Sequence, residues 1–233
     1  MADAHPNALV IGASRGIGLG LAREFASRGW RVTATVRDTA GAGDLKTVAE
    51  SSAGAVRIET VDTADAASGE ALRDRLGEAM FDLVLVNAGV GGPAKNPRTV
   101  SRDEFAHLMV TNALGPVRLA ELLAKRVAPQ TGVVAFMTSQ LGSIANNTTG
   151  GTELYRASKA ALNSMVRSFA ARHRDKGLAV LALHPGWVRT DMGGPNAAID
   201  VETSARGVAE VVERARGDRR DGFFDYKGDK LPW

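Results

Sequence analysis

Tyr155-Arg-Ala-Ser-Lys159 is the stretch of this chain whose residue types and spacing most plainly allow proton chemistry. Positions i and i+4 share a helix face, so a phenol and an ammonium stand one turn apart. An isolated tyrosine titrates near pH 10, and a neighbouring cation favours its ionised form. Such a pair can exchange a proton with a ligand oxygen near neutral pH. The chain has only two tyrosines, so the spacing is not a by-product of abundance. Without further context, the same two residues would be an ordinary surface pair.

A second constellation lies near the start. Gly12-Ala-Ser14-Arg15-Gly16-Ile17-Gly18 follows an apolar run and opens an amphipathic stretch. Gly12 permits a tight turn, Gly16 lets the backbone approach a pyrophosphate, and Gly18 lets a helix lie close to a sheet. The helix N-terminus then offers unpaired N–H groups and partial positive charge to phosphates. Further on, Thr35-Val36-Arg37-Asp38 ends the second apolar run. Val36 stands where an acidic reader of a ribose 2′-hydroxyl would be expected. Arg37 beside it favours a 2′-phosphate, which Arg15 could bracket from the other side. The expected cofactor is therefore NADP(H) in preference to NAD(H). Asp38 is the competing signal, because it could pair with Arg37 instead.

These residues need elements to hold them. Residues 8–11, 31–36, 56–58, 82–86, 133–137 and 178–183 read as short β-branched or apolar strands, with Phe223-Phe224 as a seventh. Several are apolar at consecutive positions, as in strands covered on both faces. Between them, residues 16–28 place Ile17, Leu21 and Phe25 on one helical stripe. Ser101-Arg-Asp-Glu104 reads as a capping box before Phe105, Leu108, Met109 and Asn112. Residues 153–174 form a third helix, rich in alanine on its packed side. The alternation predicts a parallel sheet with helices on both faces, in one domain spanning 1–233. Ligands of such sheets bind beyond the carboxyl ends of the strands, where strand order reverses.

Composition narrows the classes. The 233 residues include no cysteine, which excludes disulfide scaffolds, thiolate metal sites and cysteine nucleophiles. No metal-ligand spacing is visible among Asp, Glu and His, and none is expected. A net charge of +3 from 29 basic and 26 acidic residues is too small to argue for nucleic acid. The opening residues 1–7 are polar, and the apolar runs fall far short of the roughly 18 residues of a membrane span. A cytoplasmic protein without membrane partners is the expectation.

Six features now stand in register: the glycine turn, Asn87-Ala88-Gly89 after the fourth strand, Asn112, Ser139, Tyr155-x3-Lys159, and Pro185-Gly-Trp-Val-Arg-Thr190 after the sixth. Together they resemble the classical short-chain dehydrogenase/reductase family across essentially the whole chain. Residues 143–151, 155–163, 184–190 and 223–233 look closer to its C-factor-like and sniffer-like carbonyl reductase branch. The resemblance implies a Rossmann-type, doubly wound sheet of about seven strands. It implies that Tyr155 donates the proton in carbonyl reduction, and that Lys159 holds the nicotinamide ribose and lowers the Tyr155 pKa. Ser139 would polarise the substrate oxygen, and Asn112 would kink its helix and hold a water behind Lys159. Asp62 would meet the adenine, Asn87, Ala88 and Gly89 would line the adenine ribose, and Pro185, Gly186, Val188 and Thr190 would fix the carboxamide.

Ser139 lies sixteen positions before Tyr155, a longer interval than the family's usual one, and Ser143, twelve before, competes for its role. The favoured reading places Ser139 at the strand's carboxyl end. The implied activity is NADP(H)-dependent reduction of a ketone or aldehyde, reversible to alcohol oxidation. The alternative is a cofactor-binding signalling protein with little turnover. Residues 91–99 and 191–202 would frame an apolar pocket, with Gly193-Gly194 as a lid hinge. A dimer or tetramer is possible by family habit, and a monomer is equally compatible.

Overall fold

Consecutive apolar residues need cover on both faces, and the central strands receive it. The computed structural model describes residues 5–93, 95–216, 218 and 220–233. Residues 1–4 of the polar opening and Ala94 of the 91–99 loop lie outside the described residues. Among the described residues, β1 (Asn7–Ile11), β2 (Arg31–Val36), β3 (Val56–Thr60), β4 (Leu83–Val86), β5 (Val133–Met137), β6 (Ala179–His184) and β7 (Gly222–Asp225) build one sheet. Its order is β3-β2-β1-β4-β5-β6-β7 and every pairing is parallel. The expected doubly wound α/β fold is what the chain adopts.

Alternate residues of the central strands feed two cores. Ala8 and Val10 face one layer with Leu21 and Phe25 of α1 (Gly16–Ser27) and Val208 and Val212 of α7 (Val201–Ala215). Leu45 and Val48 of α2 (Gly43–Ser51) join that layer. Leu9 and Ile11 face the other layer, with Leu72 of α3 (Ala66–Leu76), Val117 and Leu123 of α5 (Gly115–Leu123), and Leu162 and Phe169 of α6 (Glu153–Arg172). Phe136 of β5 meets Phe169 edge-on at 5.7 Å, joining sheet to α6. Even the short β7 obeys the alternation, with Phe223 in one core and Phe224 in the other.

The reversal of strand order falls between β1 and β4, the two strands that leave the sheet's centre in opposite directions. The glycine turn follows β1, so the chain places it at that crevice. The capping box forms as expected: Glu104 N donates to Ser101 Oγ (3.2 Å) and Ser101 N donates to Glu104 Oε2 (2.9 Å), starting α4 (Arg102–Met109). α4 does not end at Met109 but widens into a π-helical turn, Val110–Leu114, before α5 begins. Asn112 sits inside this turn, so the expected kink takes the form of a π-bulge.

Candidate active site

The turn after β1 is built by close approaches that only glycine allows. Gly12 has φ +86°, and a Cβ there would lie 2.8 Å from the backbone of Ala88 after β4. A Cβ on Gly18 would stand 2.0 Å from the Gly12 carbonyl oxygen, so α1 starts almost in contact with the turn beneath it. Gly16, at φ +55°, faces Thr190 from the loop after β6, and a Cβ there would stand 3.3 Å from its Cγ2. Gly12 N donates to Thr35 Oγ1 (3.2 Å), Ala13 N to Thr35 O (2.7 Å), and Asn87 Nδ2 to Gly12 O (2.7 Å). Three strand ends therefore hold one turn. Ser14 and Ile17 are half-buried along it. The N-terminus of α1 has no side-chain cap and no acidic residue in its first turn, leaving its N–H groups free for an anion.

The second constellation forms where α6 crosses the ends of β4 and β5. Lys159 is only 4% exposed, and its Nζ donates to the Met137 carbonyl at the end of β5 (3.0 Å). Its ammonium lies 5.9 Å from the centre of the Tyr155 ring. Gly89 opens onto both partners: a Cβ there would stand 3.4 Å from Lys159 Nζ and 3.2 Å from Asn112 Oδ1. Asn112, fully buried, accepts from Val90 N (2.8 Å) and donates to Val90 O (2.9 Å) and Ser158 Oγ (3.1 Å). Ser158 in turn donates to Tyr155 O (2.8 Å). Both donors of the Asn112 amide are thereby used in stitching the loop after β4 to α6.

Ser139 and Ser143 separate clearly. Ser139 ends the run after β5, and its Oγ accepts from Leu141 N (3.1 Å), which leaves its O–H to donate elsewhere. Ser143 is 1% exposed, and its hydroxyl accepts from Asn146 N (3.1 Å) while donating to Trp233 O (3.3 Å). Both functions of the Ser143 hydroxyl are spent inside the protein.

The electrostatics correct one expectation. A lowered phenol pKa was expected from the ammonium one turn away, but burial governs both groups. Tyr155 is pushed up to about 12, because a phenolate would lose its water. Lys159 is pushed down to about 8 by the same cause acting on a cation. Burial therefore keeps the phenol firmly protonated and the ammonium only loosely so. His184, also buried, is pushed down to about 4 and is neutral.

The loop after β6 closes the crevice. Gly186 has φ +86° and packs against Ile199 and Tyr226, while Val188 bridges to Ile199. Pro185 O accepts from buried Ser204 Oγ (2.7 Å), which anchors the motif to α7. Gly193 N donates to Thr190 Oγ1 (3.1 Å) and Gly194 N to Thr190 O (2.8 Å). The expected hinge is thus a tight turn pinned to Thr190. Arg37 is exposed at the end of β2 and forms no ion pair among the described residues, since Asp38 instead caps the next turn through Ala40 N (2.9 Å). Arg15 pairs with Asp191 across the mouth. Asp62 Oδ1 accepts from Ala64 N (2.9 Å), shaping the loop after β3. Sequence reasoning missed Thr35, Ser158, Ser204 and Trp233. Thr35 alone carried a signal, as a polar residue near the end of a mostly buried strand.

The sheet order, the switch point and the glycine turn define a doubly wound nucleotide-binding protein of Rossmann type. Residues 6–199 match the family model described as short chain dehydrogenase, and the chain belongs to that family. It is 41% identical over 155 residues to the C-signal of Myxococcus xanthus, covering 65% of this chain and 92% of that protein. A carbonyl reductase from Pseudomonas aeruginosa PAO1 in complex with NADP superposes with a TM-score of 0.92 at 43% identity, over 99% of this chain and 100% of that one. The carbonyl reductase Sniffer of D. melanogaster gives 0.87 at 27% identity, over 99% and 100%. The expected kinship with C-factor-like and sniffer-like proteins is met on both sides.

Gly18→Ala tests the close packing of this turn. Its methyl group would stand 2.0 Å from the Gly12 carbonyl oxygen, which is backbone and cannot swing aside, and 2.6 Å from Asn87 Nδ2. The expected result is a loss of about 2 kcal/mol or more, read as a lower urea midpoint.

Proposed function

We propose that this chain is an NADP(H)-dependent reductase of ketone or aldehyde carbonyls, able to run in reverse on the alcohol, with the whole chain acting as one dinucleotide-binding unit. The observation that carries this reading is the buried Lys159 ammonium, tied to the end of β5 and opening through Gly89 one turn from Tyr155. The residues fit a nicotinamide dinucleotide. The uncapped start of α1 suits its pyrophosphate, unpaired Arg37 suits a 2′-phosphate, and the gap at Gly89 leaves room before the ammonium for ribose hydroxyls. The NADP held by the Pseudomonas aeruginosa reductase supports the same choice.

When bound, the nicotinamide supplies or accepts the hydride. Everything else falls to the chain. Tyr155, protonated up to about pH 12, holds the proton that passes to the carbonyl oxygen. Lys159 presents N–H groups to the ribose and faces the charge left on the phenol. Ser139 donates to the carbonyl oxygen and polarises it, a role Ser143 is too committed to take. Asn112 fixes the loop after β4 and, in its π-turn, helps hold a water behind Lys159. Gly12, Ser14, Arg15, Gly16, Ile17 and Gly18 cradle the phosphates. Asp62 meets the adenine, Asn87, Ala88 and Gly89 line its ribose, and Pro185, Gly186, Val188 and Thr190 seat the carboxamide. The kinship with C-signal favours one second reading, a cofactor-binding signalling protein with little turnover.

NADPH oxidation over a panel of apolar ketones and aldehydes separates the two. The enzyme reading expects turnover that Tyr155→Phe lowers by about 10²–10⁴-fold, the usual contribution of a positioned acid. Tight NADPH binding with no turnover in either protein would establish the signalling reading instead. Arg37→Glu should raise the KM for NADPH at least about tenfold and leave that for NADH nearly unchanged, since a charge-assisted phosphate contact is lost. Reduction should also weaken as pH rises through about 8, where Lys159 sheds its proton while Tyr155 keeps its own. A rate profile flat from neutral to strongly alkaline pH would remove Lys159 from the mechanism.

A further inference from the structure

We propose that Trp233 is a positioning residue for the loop that presents Ser139, clasping its far end so that the serine hydroxyl keeps its direction; the inference rests on the assignment of Ser139 as the carbonyl-polarising group. The loop leaves β5 at Ser139 and makes a single 3₁₀ turn, Gln140–Gly142, whose start the Ser139 hydroxyl caps. Gly142 is pressed onto α6, where a Cβ would lie 2.8 Å from the backbone of Lys159. That contact holds the near end of the loop. The far end turns outward, and Ile144 is 78% exposed.

What holds the far end is the segment after β7. Leu231 N donates to Phe223 O (2.8 Å), folding this segment back onto β7. The Trp233 indole then packs on Phe223, ring centres 5.5 Å apart, and under the Arg167 guanidinium of α6 at 5.4 Å. Held on two sides, Trp233 turns its carbonyl oxygen to the loop and accepts from Ser143 Oγ and Ala145 N, both at 3.3 Å. Each bond is long, but Ser143 is almost fully buried, and unpairing it would strand its hydroxyl away from water. A connected path therefore runs from β7 through Trp233 to Ser143, the 3₁₀ turn and Ser139. The side chain of Ser139 makes one bond, to its own turn, so its aim follows the turn's. Small errors in such placement have large kinetic effects.

The test compares Trp233→Ala with Trp233→Phe, which keeps a ring for Phe223 and Arg167. Hydrogen–deuterium exchange of peptides covering residues 139–149 reads the loop without any turnover. Trp233→Ala should speed exchange there about tenfold while β1 to β4 stay unchanged, and should lower kcat/KM for a carbonyl substrate about tenfold with NADPH affinity held within about twofold. Trp233→Phe should restore most of both. Ser143→Ala, which leaves the rings packed, should shift the same two readings in the same direction by less, and it decides the matter should Trp233→Ala not fold. Unchanged loop exchange, exchange accelerated equally across the protein, or a loosened loop with unaltered kcat/KM would each overturn the clasp. A wild-type protein inert toward every carbonyl would instead overturn the reductase reading, and the exchange measurements would still judge the clasp.

Discussion

An ammonium ion held out of water is expensive unless the protein replaces its solvation, and Lys159 is held at 4% exposure. Among the described residues its one acceptor is the Met137 carbonyl, the last of β5, whose ladder with β6 has just ended. Around this bond the rest of the site is arranged. α6 must lie close enough for the reach, which Gly142 permits by having no side chain against Lys159. The loop after β4 must leave a gap before the charge, which Gly89 provides. Asn112 must lock that loop, and it spends both amide donors doing so. Burial then sets the readiness of both titrating groups, loosening the proton on Lys159 and tightening it on Tyr155.

The phosphate-facing half is governed by a different constraint, steric rather than electrostatic. Gly12, Gly16 and Gly18 bring segments following β1, β4 and β6 within van der Waals contact of one another. Polar side chains secure those approaches from below: Thr35 from β2, Asn87 from β4 and, one motif further on, Ser204 from α7. A side chain on any of the three glycines would separate these segments. The turn's geometry is thus a collective property of several strand ends, with the helix N-terminus as its open face.

The two halves meet through the loops after β5 and β6. One carries Ser139 and is gripped by α6 and by Trp233; the other carries Thr190 and lies against Gly16. The two carbonyl reductases compared above superpose on this frame over nearly their whole length, and the outward parts of these loops reach solvent. Ile144, Trp187 and Met192 are large, apolar and exposed there.

The sequence by itself determined the elements and the spacing of the chemistry. Short consecutive apolar runs place the strands and a 3.6-residue stripe places α1, the Ser101–Glu104 capping box starts α4, and Tyr155 and Lys159 share a helix face because they are four residues apart. These are local facts, set by backbone geometry within a turn or a strand. Tertiary structure alone decided which of two serines has a free hydroxyl, because Ser143 is spent on Trp233, ninety residues away. It alone showed Arg15 paired with Asp191, and Arg37 without an ion pair among the described residues. It alone set the direction of the Tyr155 and Lys159 shifts, since desolvation depends on every segment packed over a group and is written in no single stretch of chain.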